Sequence, residues 1–133
     1  MKAIPALVCV LLLAVAADAA GAATLVSFSQ SGGIAGNRVA LTVSAGGRAS
    51  VTANRRPRAW RLHATTLRRL RRLLADAHFD RVDPEPSHCA DCFVYSVRYR
   101  GRRVSYDDSQ RDQVPRSVRA AVAELARIAR GGR

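Results

Sequence analysis

Lysine is almost missing from this chain. Of its 22 basic residues only Lys2 is a lysine, and the remainder are arginine. Arginine in place of lysine, beside abundant Ala, Val and Gly, reads as a composition bias toward GC-rich codons. The net charge of +12 is therefore discounted as the mark of a dedicated polyanion site. It still implies solubility and salt-sensitive sticking to acidic surfaces. Long apolar runs are missing after the N-terminal segment, so nothing else in the sequence is expected to span a membrane. Cysteine is scarce, with three in all. His88 is adjacent to Cys89, but no second Cys pair accompanies Cys89 and Cys92, and His63 and His78 are not at ligand spacing, so a zinc-finger arrangement is not expected. Internal repeats and long low-complexity segments are missing as well.

What is present begins with AIPALVCVLLLAVAA, residues 3–17, an uncharged run after Met1-Lys2. Small residues follow, with Ala17-Asp18-Ala19 and Ala20-Gly21-Ala22 as candidate cleavage sites. This is the layout of a secretory signal peptide over residues 1–19, cleaved near 19–23. The alternative is an uncleaved N-terminal anchor. Cys9 lies inside the run and reads as apolar filler. Removal leaves on the order of 110 residues, enough for one small domain with a single modest core. That domain is placed at residues 24–130, and it is expected to be monomeric, exported and free of the membrane after cleavage.

Within it, TLVSFSQ (residues 24–30) and RVALTVS (38–44) alternate apolar and polar side chains with period two, as half-buried strands do. ASVTA (49–53) is a weaker third strand, and Arg55-Arg56-Pro57 breaks the pattern. Thr65 or Thr66 is placed as the cap of a helix running to about Ala77, with Leu67, Leu70 and Leu74 on one face. FVYSVRY (93–99) and RRVSYDD (102–108) form a hairpin around Gly101. Pro115 opens a last helix with a stripe of Val118, Val122, Leu125 and Ile128, which Gly131 ends. The order is β-β-(β)-α-β-β-α. It predicts an α+β domain, a small antiparallel sheet with two helices packed on one face.

The chemistry-bearing residues are sparse. Cys89-Ala90-Asp91-Cys92 follows a proline linker and precedes a strand. A redox-active pair sits instead at a helix N-terminus. Context and an exported location favour a local disulfide over a metal site or a redox pair. His63, His78 and His88 lack any motif that would make them bases, and structural roles are the default. Asp107-Asp108 reads as a solvated turn rather than a cation site. No catalytic residue, metal or cofactor is expected. The densest basic region joins Arg55, Arg56, Arg58 and Arg61 to Arg68, Arg69, Arg71 and Arg72, with Trp60 among them. It offers a second reading, a secreted polyanion- or envelope-binding module, without specific nucleic-acid recognition.

The most unusual stretch is QSGGIAGNR, residues 30–38, which places three glycines and an isoleucine between two strands. The residues alone are accommodated by a wide hairpin whose Ile34 folds back on the core. At this loop the sequence resembles the emfourin family, proteinaceous inhibitors of thermolysin-like (protealysin-type) zinc metallopeptidases. Their signature, a first strand ending in Ser-Gly-Gly-Phe-Ala-Gly, is matched by Ser31-Gly32-Gly33-Ile34-Ala35-Gly36 with Ile in place of Phe. More permissive matches continue through Ala77-His78-Phe79, then Asp91, Phe93 and Tyr95, then Val104, Asp107, Asp108, Pro115 and Leu125. The Cys89/Cys92 pair departs from the pattern as an addition suited to export. The resemblance implies a non-catalytic inhibitor whose partner is a thermolysin-like metallopeptidase. Residues Ser31, Gly32, Gly33, Ile34, Ala35, Gly36 and Asn37 would contact the enzyme, and Ile34 would enter the hydrophobic pocket beside its zinc.

Overall fold

A computed structural model describes residues 23–83 and 89–133. The N-terminal apolar segment with Cys9, the proline linker and His88 lie outside the described residues. Six strands form one antiparallel sheet: β1 (Thr24–Gly32), β2 (Asn37–Ser44), β3 (Arg48–Ala53), β4 (Arg56–Arg61), β5 (Phe93–Tyr99) and β6 (Arg102–Asp107). Among the described residues two helices accompany it, α1 (Ala64–Asp76) and α2 (Arg116–Ala129), with short 3-10 turns at Phe79–Arg81 and Asp108–Gln113. The spatial order is β4-β3-β2-β1-β5-β6, so β1 lies inside the sheet, between β2 and β5. The α+β reading holds. Among the described residues, no helix is long and apolar enough to cross a membrane.

Period-two alternation places Val26, Phe28, Leu41, Val43, Ala49, Val51, Val97, Val104 and Tyr106 on one face, where each is buried. Both helices close that face. Leu70 and Leu74 from α1 join Val118, Ala121, Val122, Leu125 and Ile128 from α2 in the same cluster. The spacings of three and four put these side chains on one stripe of each helix. The opposite face carries Ser27, Thr42 and Ser50 in one register row and Ser29, Ser96 and Ser105 in another, all outside the core. Small polar side chains leave it open to solvent.

Three sequence expectations change. Arg56–Arg61 is a fourth strand rather than a break. Asn54 and Arg55 both take positive φ, 49° and 68°, which turns the chain back in a tight hairpin without glycine. Pro57 pairs with Thr52 at the rim of the sheet, the place where a strand tolerates a missing N–H. Next, α1 starts at Ala64 after His63 and has no side-chain cap; Thr66 is inside the helix, its hydroxyl donating to the Arg133 carbonyl at 2.8 Å. Finally, Asp107 is not solvated at all: it is 0 % exposed. Pro115 sits at the N-cap of α2, and Gly131 closes that helix, its N–H donating to the carbonyl of Ile128.

One carboxylate tunes the stability of the helix layer. Glu124 on α2 is buried and accepts from Arg127 Nη2 at 2.7 Å, with Arg69 of α1 at 3.9 Å. The hydrogen bond from Arg127 holds its carboxyl below the usual range, overcoming the opposite push of burial. A depressed folded value means the contribution is complete above about pH 4.5, the unfolded range, and is lost as pH falls through the lower folded value. Glu124→Gln is expected to lower stability by about 1 kcal/mol at neutral pH and to flatten the acid limb. Thermal unfolding of both proteins across pH checks this: parallel acid limbs would remove Glu124 from the account.

Candidate functional site

The β1–β2 hairpin, the β3–β4 turn, the entry to β5 and the exit from β6 all gather at one end of the sheet. At its centre is the glycine-rich loop. Ser31 and Gly32 complete β1, Asn37 opens β2 opposite Gly32, and residues 33–36 form the turn between them. The Gly36 N–H donates to the Gly33 carbonyl at 3.0 Å and closes that turn. All seven residues singled out from the sequence are therefore contiguous on one hairpin. Ile34 does not fold back on the core. It is 96 % exposed, and among the described residues it is the one large hydrophobic side chain left in water.

The hairpin is held from one side by the segment entering β5. Gly32 pairs with Phe93, and the Gly33 N–H donates to the Cys92 carbonyl at 3.4 Å. A Cβ on Gly33 would come within 2.9 Å of the Phe93 ring. Phe93 is fixed in turn: its N–H donates to Asp108 Oδ2 at 3.0 Å, while the Tyr95 hydroxyl donates to Oδ1 of the same carboxylate at 3.0 Å. Burial raises the Tyr95 phenol, and the bond to Asp108 adds to that rise, so it remains a donor. Burial also pushes the neighbouring Tyr106 phenol up to about 12. On the other side, Asn54 ties the β3–β4 turn to β2, with the Arg38 N–H donating to Asn54 Oδ1 at 3.2 Å and the Asn54 N–H to the Arg38 carbonyl at 3.0 Å. The base of the loop is thus framed on both sides.

Sequence reasoning singled out the loop and did not reach this frame. Asp108 carried a signal only as a charge at the end of a strand. Asp107 carried a stronger one, because a reciprocal capping arrangement is written in the chain as Asp-x-x-Gln. Asp107 Oδ1 accepts from the N–H groups of Ser109 and Gln110, and Gln110 Oε1 accepts from the Asp107 N–H.

Cys89 and Cys92 form a disulfide with Cα atoms 5.5 Å apart, within the span such bonds require. A loop this short removes little unfolded-state entropy, about 2 kcal/mol in the chain-entropy account. Replacing both residues by Ser is expected to lower stability by no more than that, read by thermal unfolding. Intact-mass measurement of the parent before and after alkylation should find neither thiol free. His63 and His78 are exposed and stand at the two ends of α1.

The arginines of the second reading are partly committed to the fold. Arg61 Nη1 donates to the Gly46 carbonyl at 3.0 Å and Arg71 Nη2 to the Ala45 carbonyl, so both pin the β2–β3 turn. Arg58 lies over the Trp60 ring at 5.8 Å. No protein-family model matches this chain, and no curated protein sequence matches it. The resemblance to the emfourins thus rests on the loop motif, the more permissive matches that follow it and the order of elements.

Proposed function

We propose that this protein is a secreted, non-catalytic inhibitor of thermolysin-like zinc metallopeptidases, presenting residues Ser31 to Asn37 to the enzyme's cleft. The observation that carries this reading is Ile34, 96 % exposed at the tip of a hairpin whose base is fixed on both sides. An exposed aliphatic side chain on a framed loop is an anchor whose ordering cost is largely met before binding. Burying it contributes about 1.5–3 kcal/mol. The inhibitor performs no chemistry; it fills the cleft and excludes substrate. Secretion is part of the proposal, supported by the N-terminal apolar segment and by a disulfide, which persists in oxidising compartments.

Titration of the purified protein against a panel of thermolysin-like enzymes tests the reading. At least one enzyme should lose activity in proportion to added protein. Charge reversal at Arg68 and Arg72, both exposed on α1, should change the inhibition constant less than about twofold, since exposed charges at a distance are screened. No inhibition across the panel, together with heparin retention that survives moderate salt, would favour the polyanion-binding module instead.

A further inference from the structure

Asp107 presents an unsolved problem of charge burial. It is 0 % exposed at the end of β6. Its Oδ1 accepts from the Ser109 N–H at 2.8 Å, the Ser109 hydroxyl at 2.5 Å and the Gln110 N–H at 3.2 Å. Its Oδ2 is buried and, among the described residues, receives no hydrogen bond. A carboxylate oxygen removed from water without a partner is costly, and such groups are normally paired or coordinate metals. Sulfur lies close to this carboxylate. An oxygen of Asp107 and the sulfurs of Cys89 and Cys92 all lie within 4.8 Å of one another. The two cysteines have the C-x2-C spacing at which a single turn gives two thiolates to one tetrahedral ion. From the sequence only the adjacent His88 suggests itself as a further ligand for this pair, and β6 brings a carboxylate from fifteen positions beyond Cys92.

We propose that reduction of the Cys89–Cys92 disulfide creates a zinc(II) site whose protein ligands are the two thiolates and the Asp107 carboxylate. A small dithiol supplies two electrons and two protons, becoming its own disulfide, and leaves two cysteine thiols. Zinc then displaces both thiol protons to solvent and binds S, S and O, with water in the fourth position. Around zinc these donors stand about 3.5–3.8 Å apart, given bond lengths near 2.3 Å to sulfur and 2.0 Å to oxygen. Contraction from the observed spacing on the oxygen side, and separation of the released sulfurs, reach that geometry by side-chain movement. Two thiolates select zinc over magnesium or calcium. The bonds that Oδ1 already accepts would orient the ligand, as outer hydrogen bonds do in metal sites. Nothing in this proposal requires a peptidase, so it stands apart from the inhibitor reading.

The test uses the whole chain carrying Cys9→Ser, so that Cys89 and Cys92 are its sole thiols. The protein is reduced with a trialkylphosphine, freed of it without air, and titrated with cobalt(II) chloride, then with zinc(II) chloride in competition. One cobalt per chain should bind with a thiolate-to-cobalt charge-transfer band, and zinc should abolish that band. The oxidised chain should show none. Asp107→Asn retains the Oδ1 acceptor for Ser109 and Gln110 and should weaken cobalt binding at least about tenfold, with circular dichroism confirming its fold. X-ray absorption of the parent's zinc complex should find two sulfurs and light-atom donors, which keeps the test decisive even if the variant unfolds. Absence of the band in the reduced parent, equal binding by the oxidised chain, or a zinc shell without sulfur would overturn the site. Undiminished binding by folded Asp107→Asn would remove the carboxylate from it.

Discussion

Ile34→Asp is expected to raise the inhibition constant toward a susceptible thermolysin-like enzyme at least about 100-fold, equivalent to about 2.7 kcal/mol. The wild-type contribution from apolar burial, about 1.5–3 kcal/mol, would vanish. In its place a carboxylate would enter an apolar pocket without a partner, a further penalty of several kcal/mol unless the loop withdraws. The free protein should scarcely notice, because a side chain 96 % exposed makes almost no contacts to lose; such surface changes stay within about 0.5 kcal/mol. Ile34→Phe, which restores the residue the emfourin resemblance leads one to expect, should inhibit as well as the parent or better. Inhibition constants and melting temperatures measured side by side separate binding from folding. If Ile34→Asp inhibits like the parent while reversal of Arg68 and Arg72 abolishes inhibition, the arginine face is the working surface and the loop is not.

Gly32→Ala is expected to produce the largest loss of stability of any single methyl group added at this end of the sheet. Gly32 has φ +113°, a region that residues with a Cβ rarely adopt. The added Cβ would also run into the carbonyl oxygen of Cys92, which belongs to the backbone and cannot rotate aside. Relief requires loosening the Gly32–Phe93 pairing or the Cys92 turn. Strain and clash together should cost about 2–4 kcal/mol, lowering the melting temperature by roughly 10 °C or more for a domain of this size. Gly36→Ala provides the comparison. Its φ is +61°, and an added Cβ there meets nothing within 4 Å, so only the backbone cost of about 1–2 kcal/mol applies. Equal melting temperatures for the two variants would show that the Cys92 contact is not a constraint.

Legibility in the sequence follows how each residue signals its surroundings. The strand over Phe93–Tyr99 is readable with its observed ends, because alternation is the direct imprint of a sheet with one dry face. The stripe on α2 is equally plain, since Val118, Val122, Leu125 and Ile128 all face the core. The β4 strand is hidden for the converse reason. As a rim strand it needs little apolar patterning, and its residues are exposed apart from the half-buried Trp60. Its turn is carried by Asn54 and Arg55, and an arginine with positive φ has no compositional flag. At the candidate site, local information suffices for the loop, whose seven residues are consecutive. The supports come from far later in the chain, through Cys92, Phe93 and Asp108. Contacts of that kind are set by strand order, which alternation does not encode. The cap at Asp107 is written in the chain, but its burial is not, because a charged residue is assumed to be wet until a fold dries it.

The two rim strands also bear on how this protein behaves in concentrated solution. Every finite sheet ends in unpaired N–H and C=O groups that can template another chain. Here the rims read Arg-Pro-Arg-Ala-Trp-Arg on β4 and begin Arg-Arg on β6. Two copies approaching rim to rim would bring guanidinium groups together, and proline interrupts the ladder on one side. That guard is electrostatic and has a finite range, about 8 Å at physiological ionic strength and about 3 Å at 1 M salt. The protein should therefore resist fibre formation best in dilute buffer and lose much of that protection in strong brine, the reverse of a protein whose colloidal behaviour is governed by attraction between opposite charges.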